Sequence, residues 1–194
     1  MEIGATKAVQ DRLKTTKIEE SKGASFAFCW DTHLTKIKGR NVLFIVNASN
    51  RYTIAMTDIE PRNWNYYTMY IRSVIHGVMQ EMGYSEDQIG QYFKISGDTT
   101  VTKTHGRKSV GGINRMVMDA QYFGKKLEKE AKYQWELSEY LNRDICQPEG
   151  FDAYGYPSEL FKLDMERLGI AAKREPAKVI DFAQYIENNR GTND

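Results

Sequence analysis

Residues 101 to 116 read VTKTHGRKSVGGINRM, and they gather the side chains best suited to chemistry. Lys103, His105, Arg107 and Lys108 stand almost together, Ser109 follows, and Gly111, Gly112 and Asn114 come just after. A strand ending near Thr104, a glycine-containing turn and a helix starting near Ser109 would make an exposed anion-binding turn. Backbone N–H groups at a helix start face outward, and the peptide dipoles favour an anion there. Lys103, Thr104, Arg107, Lys108, Ser109 and Asn114 are therefore candidate ligands for a phosphate, with Arg51 of a neighbouring turn joining them. The order of residues is neither a P-loop nor a dinucleotide fingerprint. The same stretch also fits a solvated basic turn in which Ser109 simply caps the helix. His105 has a side chain suited to acid–base catalysis. A ribonuclease-like set of His105, Lys103 and Arg107 would need His33 or His76 as a second base.

A second constellation sits at Trp30, Asp31 and His33, with Asn47 nearby in a turn. Positions two apart on a strand share a face, so Asp31 and His33 could line one pocket. A metal needs a third and fourth ligand, and nothing near in sequence has ligand spacing. No metal and no cofactor are expected. Cys29, in the run FAFCW, reads as a buried thiol, and Cys29 and Cys146 together suggest neither a zinc site nor a disulfide framework.

The elements that must position these groups follow from periodicity. EIGAT is a short strand, TKAVQDRLK a helix and SFAFCW a strand. Val42 to Val46 and Tyr52 to Ile59 form a hairpin around NASN. Pro61 opens one helix running to Gly83, and Ser85 caps the next. TTVTKT is a last short strand. From Ser109 a single helical stripe runs through Met116, Ala120, Phe123, Leu127, Trp135 and Leu141. Two more helices follow, PSELFKLDMERLG and EPAKVIDFAQYIENN. The expected fold is α+β: a small, mainly antiparallel sheet covered by helices, with a helical C-terminal extension. Residues 1–145 form the core domain, and 146–194 form an extension that packs on the core or on a partner.

The order of motifs resembles an uncharacterised bacterial and phage family known only as a domain of unknown function. The resemblance rests on TK before the first helix, WDTHL, LFIVNASNRYTI, TKTHGRKSVGGIN and the later LNRDICQPEGFDAYGYPSEL, and it spans roughly residues 3 to 160. Members carry WHAN where this chain has Trp30, Asp31, Thr32 and His33. They carry one basic residue before SV, a position that either Arg107 or Lys108 fills here. The resemblance implies a fold and a set of polar positions but no reaction.

The bulk numbers bound the rest. The chain has 194 residues, 27 Lys plus Arg against 26 Asp plus Glu, and a net charge of +1, so any pull on nucleic acid must be local. The longest apolar run, VLFIV, is too short to span a bilayer, and the N-terminus lacks the pattern of a secretory signal. A cytoplasmic protein with no membrane contact is expected. Three functions are open: a binding module for nucleic acid or a phosphorylated ligand through the basic turn at 103–115; an enzyme of nuclease or phosphotransfer type in a phage–host or toxin-like setting; and an adaptor that binds a partner, or itself, through 157–189.

Overall fold

The computed structural model describes residues 1–15 and 18–172. In chain order the elements are β1 (Glu2–Ala5), α1 (Lys7–Leu13), β2 (Cys29–Ile37), β3 (Arg40–Asn47), β4 (Thr53–Thr57), α2 (Pro61–Asn65), α3 (Tyr67–Glu81), α4 (Glu86–Ser96), β5 (Thr100–Thr102), α5 (Arg107–Gln121), α6 (Trp135–Asn142) and α7 (Pro157–Arg167). The five strands form one sheet in the order β4-β3-β2-β1-β5. It is a mixed sheet: β2, β3 and β4 are antiparallel neighbours, while β1 runs parallel to both β2 and β5. The chain is thus α+β, with helices on both faces of the sheet.

The run Val42 to Val46 is apolar without alternation because both of its faces are buried. Leu43 and Ile45 join Ile3, Trp30 and Ile54 under α3, α4 and α7, where Ile71, Ile75, Tyr92 and Phe161 cover them. Val42, Phe44 and Val46 face α5 and α6 on the other side, packing with Ile113, Met116, Leu137 and Leu141. Each of these large side chains stabilises the fold by about 1.5–3 kcal/mol on burial.

Several expectations change. SFAFCW is not a strand: Phe26–Phe28 is one turn of 3₁₀ helix, and the strand begins at Cys29. That strand runs on to Ile37 and turns back through Lys38 and Gly39, both with positive φ, which gives a tight hairpin with Ile37 opposite Arg40. The helix after Pro61 breaks at Tyr66. The stripe from Ser109 is not one helix either. α5 ends at Gln121, and the chain returns to helix only at Trp135. Phe123 and Leu127 are buried all the same, because the connecting segment lies against the sheet: Thr57 N–H donates to Lys132 O and Gln134 N–H to Ala55 O, both hydrogen bonds satisfying the edge of β4. In the extension, α7 packs on the core, its Phe161 ring against Trp30 and Tyr52. The second expected helix, with Val179, Ile180, Phe182, Ala183 and Ile186, lies outside the described residues.

Candidate functional site

Ile3 and Ala5 of β1 and Trp30 of β2 point to the α3 face, so Glu2, Gly4, Cys29 and Asp31 point to the α5 face. Parallel pairing sets Glu2 beside Cys29 and Gly4 beside Asp31. β5 adds Thr102 next to Gly4 and then delivers His105 onto this polar ground. The His105 side chain is 1% exposed, and both ring nitrogens are engaged: Nδ1 meets Asp31 Oδ1 at 2.7 Å and Nε2 meets Glu2 Oε2 at 3.0 Å. Asp31 also accepts from the His105 N–H and from the Ser109 hydroxyl. Glu2 accepts from the Ser21 hydroxyl at 2.6 Å and the Lys22 N–H at 2.8 Å.

Burial works against charge on His105, but hydrogen bonds and charge at Asp31 and Cys29 outweigh it and raise the pKa to about 10. For Glu2, burial pushes the pKa upward. The bonds from Ser21, Lys22 and His105 more than offset this and hold the carboxyl below its ordinary value. His105 is thus an imidazolium clamped between two carboxylates. Gly4 makes the clamp possible, since a Cβ there would lie 1.9 Å from Asp31 Oδ1 and 3.0 Å from His105 Nδ1.

This geometry separates the candidates. His105 and Ser109 are buried rather than part of an exposed turn. Ser109 is not the helix cap; it lies in the first turn of α5, after the N-cap Gly106, and its hydroxyl turns inward to Asp31. Asp31 is itself an anion beside the start of α5. Lys103 is exposed and paired with Glu20, Thr104 is half-buried, and Arg107 and Asn114 are exposed. His33, half-buried, meets Thr6 Oγ1 at 3.1 Å, and burial lowers its pKa. His76 pairs with Glu86. Neither histidine bonds to His105. Trp30 faces the opposite core and donates to the Tyr92 hydroxyl. Asn47 organises its turn by accepting from the N–H groups of Ser49 and Asn50.

Arg51, Lys108 and Ser109 do come together. With Gly111, Gly112, Arg115 and the segment Gln147 to Glu149, they line a cleft of about 230 Å³. Arg51 adopts the left-handed region at φ 62° and lies over Gly112, where a Cβ would stand 3.3 Å from its Nε. Lys108 Nζ donates to Pro148 O at 3.1 Å. Arg51, Lys108 and Arg115 line it with one carboxylate, Glu149, and Arg115 Nε also lies 3.9 Å from Asp119 Oδ2. A larger cleft of about 430 Å³ near α6 is lined by Asp119, Glu136, Glu139 and Asp144 against Lys125 and Arg143, which pair with Glu136 and Glu139, so its balance is acidic.

Sequence reasoning passed over Glu2, Gly4 and Arg115, and it read Cys29 as the buried thiol that it is. An acidic residue inside the otherwise apolar strand EIGA was the one signal available for Glu2. No helix among the described residues is long and apolar enough to cross a membrane. A family model described as "Domain of unknown function (DUF6933)" matches residues 2–160, and the chain belongs to that family. No curated protein and no solved structure matches.

Proposed function

We propose that this family member is a binding protein whose cleft between Arg51, Lys108 and Arg115 takes a phosphate group, carried by a nucleic-acid backbone or by a small phosphorylated molecule. The observation that carries the reading is the meeting of three basic side chains from a hairpin turn and one helix face in a chain of net charge +1. Cations that repel one another gain from an anion between them, and guanidinium groups match phosphate oxygens well. At about 230 Å³ the cleft suits a single phosphate rather than a whole nucleotide, since pockets for drug-sized ligands run from about 300 to 1,000 Å³. Glycine at 112 lets the Arg51 side chain lie close to the helix backbone. A cytoplasmic setting is part of this reading. Catalysis through His105 receives no such support, because both ring nitrogens are already bonded to carboxylates.

The test is the affinity for a short fluorescent single-stranded oligonucleotide and, in parallel, for inorganic pyrophosphate. Arg51→Gly suits the backbone at φ 62°, and Lys108→Ala changes an exposed side chain, so both variants keep the fold. Together they should weaken binding by about 2–4 kcal/mol, from two charge-assisted contacts. Lys103→Ala, away from the cleft, should leave affinity unchanged. Equal affinity for the double variant and the wild type removes the reading.

A further inference from the structure

We propose that Glu2, Cys29 and His105 form a binding site for a divalent ion of the zinc class, with Asp31 as the outer partner of His105. A carboxylate oxygen, the thiol sulfur and an imidazole nitrogen, one from each residue, lie within 4.8 Å of one another, and all three residues are buried. Ligand atoms held about 2.0–2.3 Å from one zinc ion stand roughly 3–4 Å apart. The 3.0 Å between His105 Nε2 and Glu2 Oε2 therefore already suits two ligands of one ion.

The donor set selects the metal. Thiolate and imidazole together favour zinc and its neighbours over calcium or magnesium, which take oxygen ligands. The surroundings have the form of a metal site as well. A ligating histidine commonly gives its other ring N–H to a carboxylate, and His105 Nδ1 has Asp31 at 2.7 Å. Asp31 is fixed in turn by Ser109 and by the close approach that Gly4 permits. Glu2 is aimed by Ser21 and by the Lys22 N–H.

Zinc takes sulfur as thiolate and imidazole in its neutral form, so uptake is coupled to proton release. Three protein donors leave a fourth position for water. The ion would join β1, β2 and the turn before α5. Ligands at positions 2, 29 and 105 are too far apart in sequence for any spacing motif to show them.

The test uses the full chain after chelator treatment, titrated with Zn²⁺ against a chromophoric competitor and with Co²⁺ as a spectroscopic probe. Wild type should take up one equivalent, with a sulfur-to-cobalt charge-transfer band. Cys29→Ser should abolish that band and, like His105→Gln, lower zinc affinity at least ~100-fold, while Asp31→Asn should lower it ~10–100-fold. His76→Ala, at a half-buried histidine that pairs with Glu86 and not with the cluster, should leave zinc uptake unchanged. Absence of uptake, or of the charge-transfer band, in the folded wild-type chain overturns the proposal without reference to any variant. So does uptake that survives both Cys29→Ser and His105→Gln.

Discussion

Gly4→Ala is the smallest change that reaches the buried cluster. The added methyl would stand 1.9 Å from Asp31 Oδ1 and 3.0 Å from both His105 Nδ1 and the Thr104 Cα. β1 cannot move aside, because it is hydrogen-bonded to β2 on one edge and β5 on the other. Asp31 must therefore leave, and it forfeits its bonds to the His105 ring, the His105 N–H and Ser109. Breaking a buried charge pair costs about 3–5 kcal/mol, and forcing a methyl into a packed site adds about 1–3. Partial relaxation reduces the sum, so the expected loss is about 3–5 kcal/mol. In urea, with a slope of about 2 kcal/mol per molar, that lowers the midpoint by about 1.5–2.5 M. Gly90→Ala is the control: Gly90 is exposed within α4 with open space around its would-be Cβ, and alanine there should gain about 0.5–1 kcal/mol. A Gly4→Ala chain within about 1 kcal/mol of wild type, by urea unfolding followed by circular dichroism, would refute the clamp.

Other expectations can be checked in the same assay. Phe44→Asp and Ile54→Asp each place a charge at a fully buried position on opposite sides of the sheet, and each should cost about 4 kcal/mol or more; unchanged melting temperatures would contradict the two-faced core. Burial raises the pKa of Asp164 above 3.8, against hydrogen bonds from Asn50 and Ser49 and the charge of Arg167. A raised carboxyl favours the fold below pH 3.8 and loses that advantage as pH rises through its folded pKa, so Asp164→Asn should gain stability relative to wild type as pH rises above 3.8. A wild-type advantage that grows with pH would reverse that sign. A chain lacking residues 173–194 should keep its circular dichroism signal and cooperative melting, because α7 already seals the α3 face with Phe161 and Met165; loss of the fold would assign those residues to the core.

The hairpin, the Ser85 cap and the final short strand were legible because each is a local signal: a turn between apolar runs, a cap followed by acidic residues, a β-branched triplet. The capping box of Ser85 and Gln88 is itself in the structure. The break between α5 and α6 was not legible, since Phe123 and Leu127 keep helical spacing while packing from irregular chain. The Lys38–Gly39 turn lacked the usual Asn-Gly or Asp-Gly sequence. At the site, the density of charge in TKTHGRKS was visible, but its partition was not. Parallel pairing of β1 with β2 brings Glu2 and Cys29 together across 27 positions and draws His105 inward, and no periodicity encodes that register. The charged turn thus divides: His105 and Ser109 serve the interior, Lys108 the cleft, and Lys103 and Arg107 the surface.

The most direct test of the phosphate-binding reading is the salt dependence of affinity for a short single-stranded oligonucleotide. One backbone phosphate held among the three cations gives a slope of log K against log salt of about −0.7. Arg51→Gly and Arg115→Ala together should bring it close to zero. Affinity indifferent to salt, or a slope that both substitutions leave unchanged, would contradict the account.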